Sequence, residues 1–207
     1  MPAILALFLC LVLFCCASSE NGAAMEEEPA NTFVPAVNQP VLHIPLRIHL
    51  GESNWRPAEF IPVAREMSDI WLRQAGICFE TEIVLHDKAA VRGFDLWIEP
   101  KLQENQSYNG LYNNDHDIRV RDVPILGDAA HSAKSPTART AAHEIGHALR
   151  LHHRQDSDDN LMRSKTFGWQ LNAEEIRKAR KAALAKALLD KKSDRCRISD
   201  KVDEDRR

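Results

Sequence analysis

The chemistry in this sequence concentrates in one stretch, His143-Glu-Ile-Gly-His-Ala-Leu-Arg-Leu-His-His153. His143 and His147 are four residues apart, so a helix carries both on one face. Two imidazoles so placed are a ligand pair for one Zn²⁺. Glu144 lies about 100° around the helix from His143, close enough to meet a water at the metal without being forced to bind it. The chemistry implied is carbonyl hydrolysis: the metal makes the water acidic and the carboxylate takes its proton. Ala141, Ile145, Ala148 and Leu149 form the opposite face and are expected in the core. From spacing alone, the third donor is open between His153, His152 and a carboxylate of the later helix, Glu174 or Glu175.

The run beyond the pair narrows this. His153 follows His147 by six residues, and Met162, in Asp159-Asn-Leu-Met162, follows His153 by nine. His143, Glu144, His147, His153 and Met162 together resemble the metzincin zinc-peptidase pattern H-E-x-x-H-x-x-G-x-x-H with its Met-turn methionine. The sequence Gly168-Trp-Gln-Leu-Asn-Ala-Glu-Glu-Ile-Arg that follows resembles the matrixin-like bacterial branch, in which a last helix comes after the Met-turn. The resemblance implies a zinc endopeptidase acting on protein or peptide substrates. It implies His143, His147 and His153 as ligands, Glu144 as general base and acid, and Met162 as structural support. It implies an α+β fold: a twisted, mainly parallel sheet with packed helices, a zinc helix, a Met-turn and a C-terminal helix. The rival function is a zinc-binding interaction module on the same fold without proteolysis, which has no use for Glu144.

One position departs from the pattern: Arg150 stands where the glycine belongs. Continued as a helix, residue 150 would fall within about 20° of His143 and His153 would point away. The chain must therefore turn out of the helix at residue 150. A left-handed residue is the usual device, and it costs a non-glycine about 1–2 kcal/mol.

Other elements must hold this helix in place. Val41–Leu50 alternates as a strand. Phe60, Val63, Ala64, Met67, Ile70 and Trp71 recur at helical spacing, with Gly76 as the stop and Pro57 or Pro62 marking the first turn. Residues 77–85, 94–98 and 117–123 are strand-like, and the Asn-, Tyr- and Gly-rich stretch 106–114 reads as a loop. A helix is expected from Ser135-Pro136 through the histidines. Another is expected from Asn172, with Glu175 completing a capping box, to about Leu189. His43, His49, His86, His116 and His131 read as strand or loop residues, although His131 and Asp128 precede the zinc helix and are candidates to line a cleft. Asp156, Asp158 and Asp159 read as a solvated acidic loop.

The chain divides into an apolar leader (residues 1–19), an acidic linker (20–40), a catalytic domain (41–190) and a charged tail (191–207). Residues 3–17 carry no charge and are too few to span a bilayer comfortably, which favours an export signal over an anchor; acylation at Cys15 or Cys16 is the lipoprotein alternative, with a membrane tether. A secreted or periplasmic protein is thus expected. With the leader removed, Cys78 and Cys196 remain, either paired or as two thiols. The 207 residues carry 27 basic and 30 acidic side chains, a net charge of −3, which disfavours nucleic acid as a partner.

Overall fold

The computed structural model describes residues 39–85, 88–90, 92–102, 107–113, 117–125, 135–164, 168–188 and 195–200. The leader, nearly all of the acidic linker, the last residues of the tail, Asp128, and His86, His116 and His131 lie outside the described residues.

Alternating side chains sort the strands into two faces. In β1 (Leu42–His49), Ile44, Leu46 and Ile48 are buried toward the helices, while Pro45 and Arg47 face outward, half-buried. The same alternation governs β2 (Ile77–Val84), β3 (Phe94–Glu99) and β5 (Asp117–Arg121). The sheet has the order β4-β5-β3-β1-β2-β6, with β4 spanning Gly110–Asn113 and β6 spanning Ile198–Asp200. All neighbours pair in parallel except β4, which runs antiparallel to β5 at one edge. With three helices, this is an α+β fold on a mixed, mostly parallel sheet, as the sequence suggested at that level.

α1 (Pro57–Ala75) starts with Pro57 in its first turn and continues through Pro62. Pro57 falls where the N–H has no intrahelical partner, whereas Pro62 lies inside the helix and forgoes its bond to residue 58, so of the two prolines Pro57 marks the start. Gly76 ends the helix at φ 59°, where a left-handed residue lets its N–H reach the Leu72 carbonyl at 3.0 Å. α1 buries the stripe read from the sequence, from Phe60 to Trp71, and Trp71 donates its indole N–H to the Ala142 carbonyl (3.2 Å). That bond ties α1 to α2 (Pro136–Ala148), the helix that bears the histidine pair.

Three expectations need correction. The stretch 106–114 contains strand β4, because the edge of β5 offers four residue pairings that its Asn- and Gly-rich sequence does not advertise. α3 spans Ala173–Leu184 and stops short of Leu189. The chain turns at Lys186, and the Leu188 N–H is recruited by the His43 carbonyl at 2.8 Å, which draws it off the helix axis. The segment assigned to a charged tail contains β6, paired with β2 from Thr81↔Ile198 to Ile83↔Asp200. A disulfide between Cys78 and Cys196 anchors it, with a Cα separation of 5.3 Å. Among the described residues, no helix is long and apolar enough to cross a membrane.

Candidate metal centre

α2 begins with Ser135, whose hydroxyl accepts the Ala138 N–H, and with Pro136 in the first turn. Its buried face packs Ala138, Ala141, Ala142, Ile145 and Ala148 into the core. His143 and His147 consequently share the remaining face. The helix then ends in a Schellman turn centred on Arg150, which adopts φ 66°. The Arg150 N–H donates to the His147 carbonyl (2.9 Å) and the Leu151 N–H donates to the Gly146 carbonyl (2.9 Å). Arg150 is the only non-glycine with positive φ among the described residues, so the strain anticipated for that position is present. Leu151 is buried, and the turn brings His153 back over the end of α2.

The three imidazoles meet through their Nε2 atoms. His143 and His147 are 3.2 Å apart there, and each lies 3.1 Å from His153. The opposite ring nitrogens fix the tautomers: His143 Nδ1–H donates to the Leu161 carbonyl (2.7 Å) and His147 Nδ1–H to the Leu151 carbonyl (2.9 Å). In the neutral rings the Nε2 atoms of both therefore carry lone pairs that point at one another. Such a pair repels unless a cation lies between, and the donor set is that of a metal site. Burial pushes the His143 pKa down to about 3, assisted by the nearby Arg139 charge, and burial also lowers His147 and His153. All three shifts favour the neutral, ligating form. His143, His147 and His153 thus form a possible metal-binding group.

Glu144 is buried, and the burial raises its pKa to about 7 against the opposing pull of Arg139. The β4 edge packs directly on it. A Cβ added at Gly110 would stand 2.5 Å from Glu144 Oε1, so any other residue here has to push the carboxylate aside.

Beneath α2, Met162 is fully buried, and its sulfur lies so close to Gly146 that a Cβ there would collide with it. The Met162 N–H donates to Asn160 Oδ1 (2.7 Å), and Asn160 Nδ2 donates to Glu175 Oε2 (2.8 Å). The same Glu175 oxygen accepts the Asn172 N–H (2.9 Å), closing the capping box of α3. Arg139, one turn before His143, binds this segment from the other side. Its Nη2 donates to the carbonyls of Leu161 and Arg163, both at 2.8 Å, and its Nε donates to that of Gly168 at 3.0 Å. The Leu161 carbonyl therefore receives both Arg139 and His143.

The alternatives for the third donor separate cleanly. His152 is exposed and outside the group. Glu175 is committed to Asn172 and Asn160, and Glu174 pairs with Lys178 at 2.7 Å, so neither glutamate joins the histidines. In the acidic loop, Asp158 pairs with Arg163 at 3.0 Å and Asp156 pairs with Arg154, so these two carboxylates are balanced by arginines. Sequence reasoning missed Arg139 and Gly110. Arg139 had a signal: it lies four residues before His143, on the same helical face, in an otherwise uncharged run. Gly110 had none, because its role depends on a strand pairing.

Neither the models of known protein families nor the curated proteins give a match to this chain.

Proposed function

We propose that this protein is an exported zinc-dependent endopeptidase of the metzincin type, close to the matrixin-like bacterial branch. The observation that carries the reading is the meeting of three imidazole Nε2 atoms, 3.1–3.2 Å apart, beside a buried carboxylate on the same helix. Donors arranged tetrahedrally at the usual zinc–nitrogen distance stand about 3.3 Å from each other, so the residues present fit zinc. His143, His147 and His153 would hold it, and Glu144 is the remaining group with an acid–base role to fill. Met162, packed under Gly146, supports the Met-turn assignment.

Bound zinc supplies Lewis acidity, polarising the scissile carbonyl and lowering the pKa of water to about 7. Glu144 removes a proton from the attacking water and delivers it to the departing amide nitrogen. Its position beside Gly110 matters because β4 is the sheet's edge strand. An extended peptide added along that edge by backbone hydrogen bonds passes next to Glu144. The Leu161 and Leu151 carbonyls hold the rings of His143 and His147 in one orientation throughout. The uncharged leader supports export, as does the disulfide, which persists in oxidising compartments.

The test is hydrolysis of a casein-type substrate by the purified protein. Chelation abolishes it, and Glu144→Ala abolishes it while keeping about one zinc per chain. Hydrolysis unchanged in Glu144→Ala refutes proteolysis by this site. A zinc-loaded wild type without hydrolysis of any peptide in a diverse library favours the non-proteolytic module instead.

A further inference from the structure

A second set of metal-ligating side chains lies on the outer face of the sheet, and the histidine trio does not involve it. His43 and Cys78 are register partners on β1 and β2, and Glu80 is two residues along β2 from Cys78, on the same face. His43 Nδ1 and Glu80 Oε1 are 2.8 Å apart. One ligand atom from each of His43, Cys78 and Glu80 falls within 4.8 Å of the others. His43 and Cys78 are buried and Glu80 is half-buried. Cys196 completes the group through its bond to Cys78.

We propose that reduction of the Cys78–Cys196 disulfide converts this cluster into a second zinc site, with Cys78, Cys196, His43 and Glu80 as ligands. Two thiolates, an imidazole and a carboxylate are a donor set that selects zinc among the common divalent ions. Four protein ligands leave no open position, so the site is structural and closed. The reductant is a dithiol, which passes two electrons and two protons to the Cys78 and Cys196 sulfurs and leaves as its own disulfide, or, in the laboratory, a phosphine. The phosphine gives two electrons to the S–S bond and leaves as its oxide. Water supplies the oxygen and the two protons that make two thiols. Zinc then displaces both thiol protons as it binds. The same two sulfurs fasten β6 to β2 in either state, covalently when oxidised and through the metal when reduced. The edge strand thus keeps its anchor in both redox conditions.

Cobalt distinguishes this site from the histidine trio, because only thiolate ligands give an intense near-ultraviolet charge-transfer band. The full chain, with the leader's Cys10, Cys15 and Cys16 replaced by serine so that only Cys78 and Cys196 supply sulfur, is loaded with Co²⁺ before and after treatment with a phosphine. Far-UV circular dichroism reports the fold in each state. The expected result is a thiolate–cobalt band and one additional metal per chain in the reduced protein only. Replacing both Cys78 and Cys196 by serine abolishes the band, and His43→Ala and Glu80→Gln each weaken the second metal by at least about tenfold. Three outcomes overturn the proposal. One is a folded reduced chain without the band. Another is a band whose affinity is the same in Glu80→Gln and His43→Ala, which means that the thiols bind alone. The third is a reduced chain that unfolds and is not recovered by zinc.

Discussion

Replacing Arg150 by glycine tests whether the turn that returns His153 to His143 and His147 is under backbone strain alone. Arg150 is exposed and sits at φ 66°, in the C′ position of a Schellman turn whose two hydrogen bonds use only backbone atoms. A left-handed non-glycine costs about 1–2 kcal/mol, which Arg150→Gly removes. Glycine gains more freedom in the unfolded chain and returns about 0.4–1 kcal/mol of that. The Lys186 pKa is depressed mainly by burial and secondarily by the Arg150 charge, so removing that charge relieves a like-charge contact as well. The net expectation is stabilisation of about 0.5–1 kcal/mol, or about 1–4 °C in Tm for a chain of this size. Metal content and hydrolysis stay within about twofold of wild type. Arg150→Val supplies the contrast, since a β-branched residue at positive φ is more strained than arginine, and its Tm should fall.

The assay is thermal unfolding of both variants with and without metal, with zinc measured in the folded fraction. A folded Arg150→Gly protein that melts below wild type, or that has lost its zinc, refutes this reasoning. Either result would mean that the arginine side chain, rather than the backbone turn, holds His153 in place.

Other substitutions separate the parts of the centre. Gly110→Ala should keep metal but lower hydrolysis about a hundredfold, because the new methyl group displaces the Glu144 carboxylate; unchanged turnover would show that β4 is not fixed against it. Arg139→Met should weaken zinc binding about tenfold or more in a chelator competition by releasing the Leu161 carbonyl that orients His143, and Arg139→Lys should rescue little, because an ammonium lacks the planar fork that reaches three carbonyls. His153→Ala should lose the metal while Glu174→Ala retains it, as measured by zinc content of the purified variants; the reverse pattern would move the third ligand to α3.

What the sequence could and could not convey follows from the range of the interactions involved. The α2 histidines and the α1 stripe were legible because helical period is local: residues three and four apart meet whatever the rest of the chain does. The α3 capping box was legible for the same reason. Arg150 was legible as a conflict, since helical geometry alone shows that His153 cannot return unless the chain turns there. β4 and β6 were not, because strands of four and three residues are too short to show a period, and β6 is defined only by its pairing with β2, far away in the sequence. The neighbours of the histidine group fall in this second class. Gly110 meets Glu144 where β4 packs against α2, and Gly146 meets the Met162 sulfur across a turn. Gly146 occupies an unspecified position between the two helix histidines, and a side chain there would collide with the sulfur seated beneath them. The histidine spacing states which groups would meet a metal, but the small residues around them decide whether the supporting elements approach closely enough to hold those groups still. Those small residues leave no periodic trace, so a site can be located from its ligands long before its support can be read.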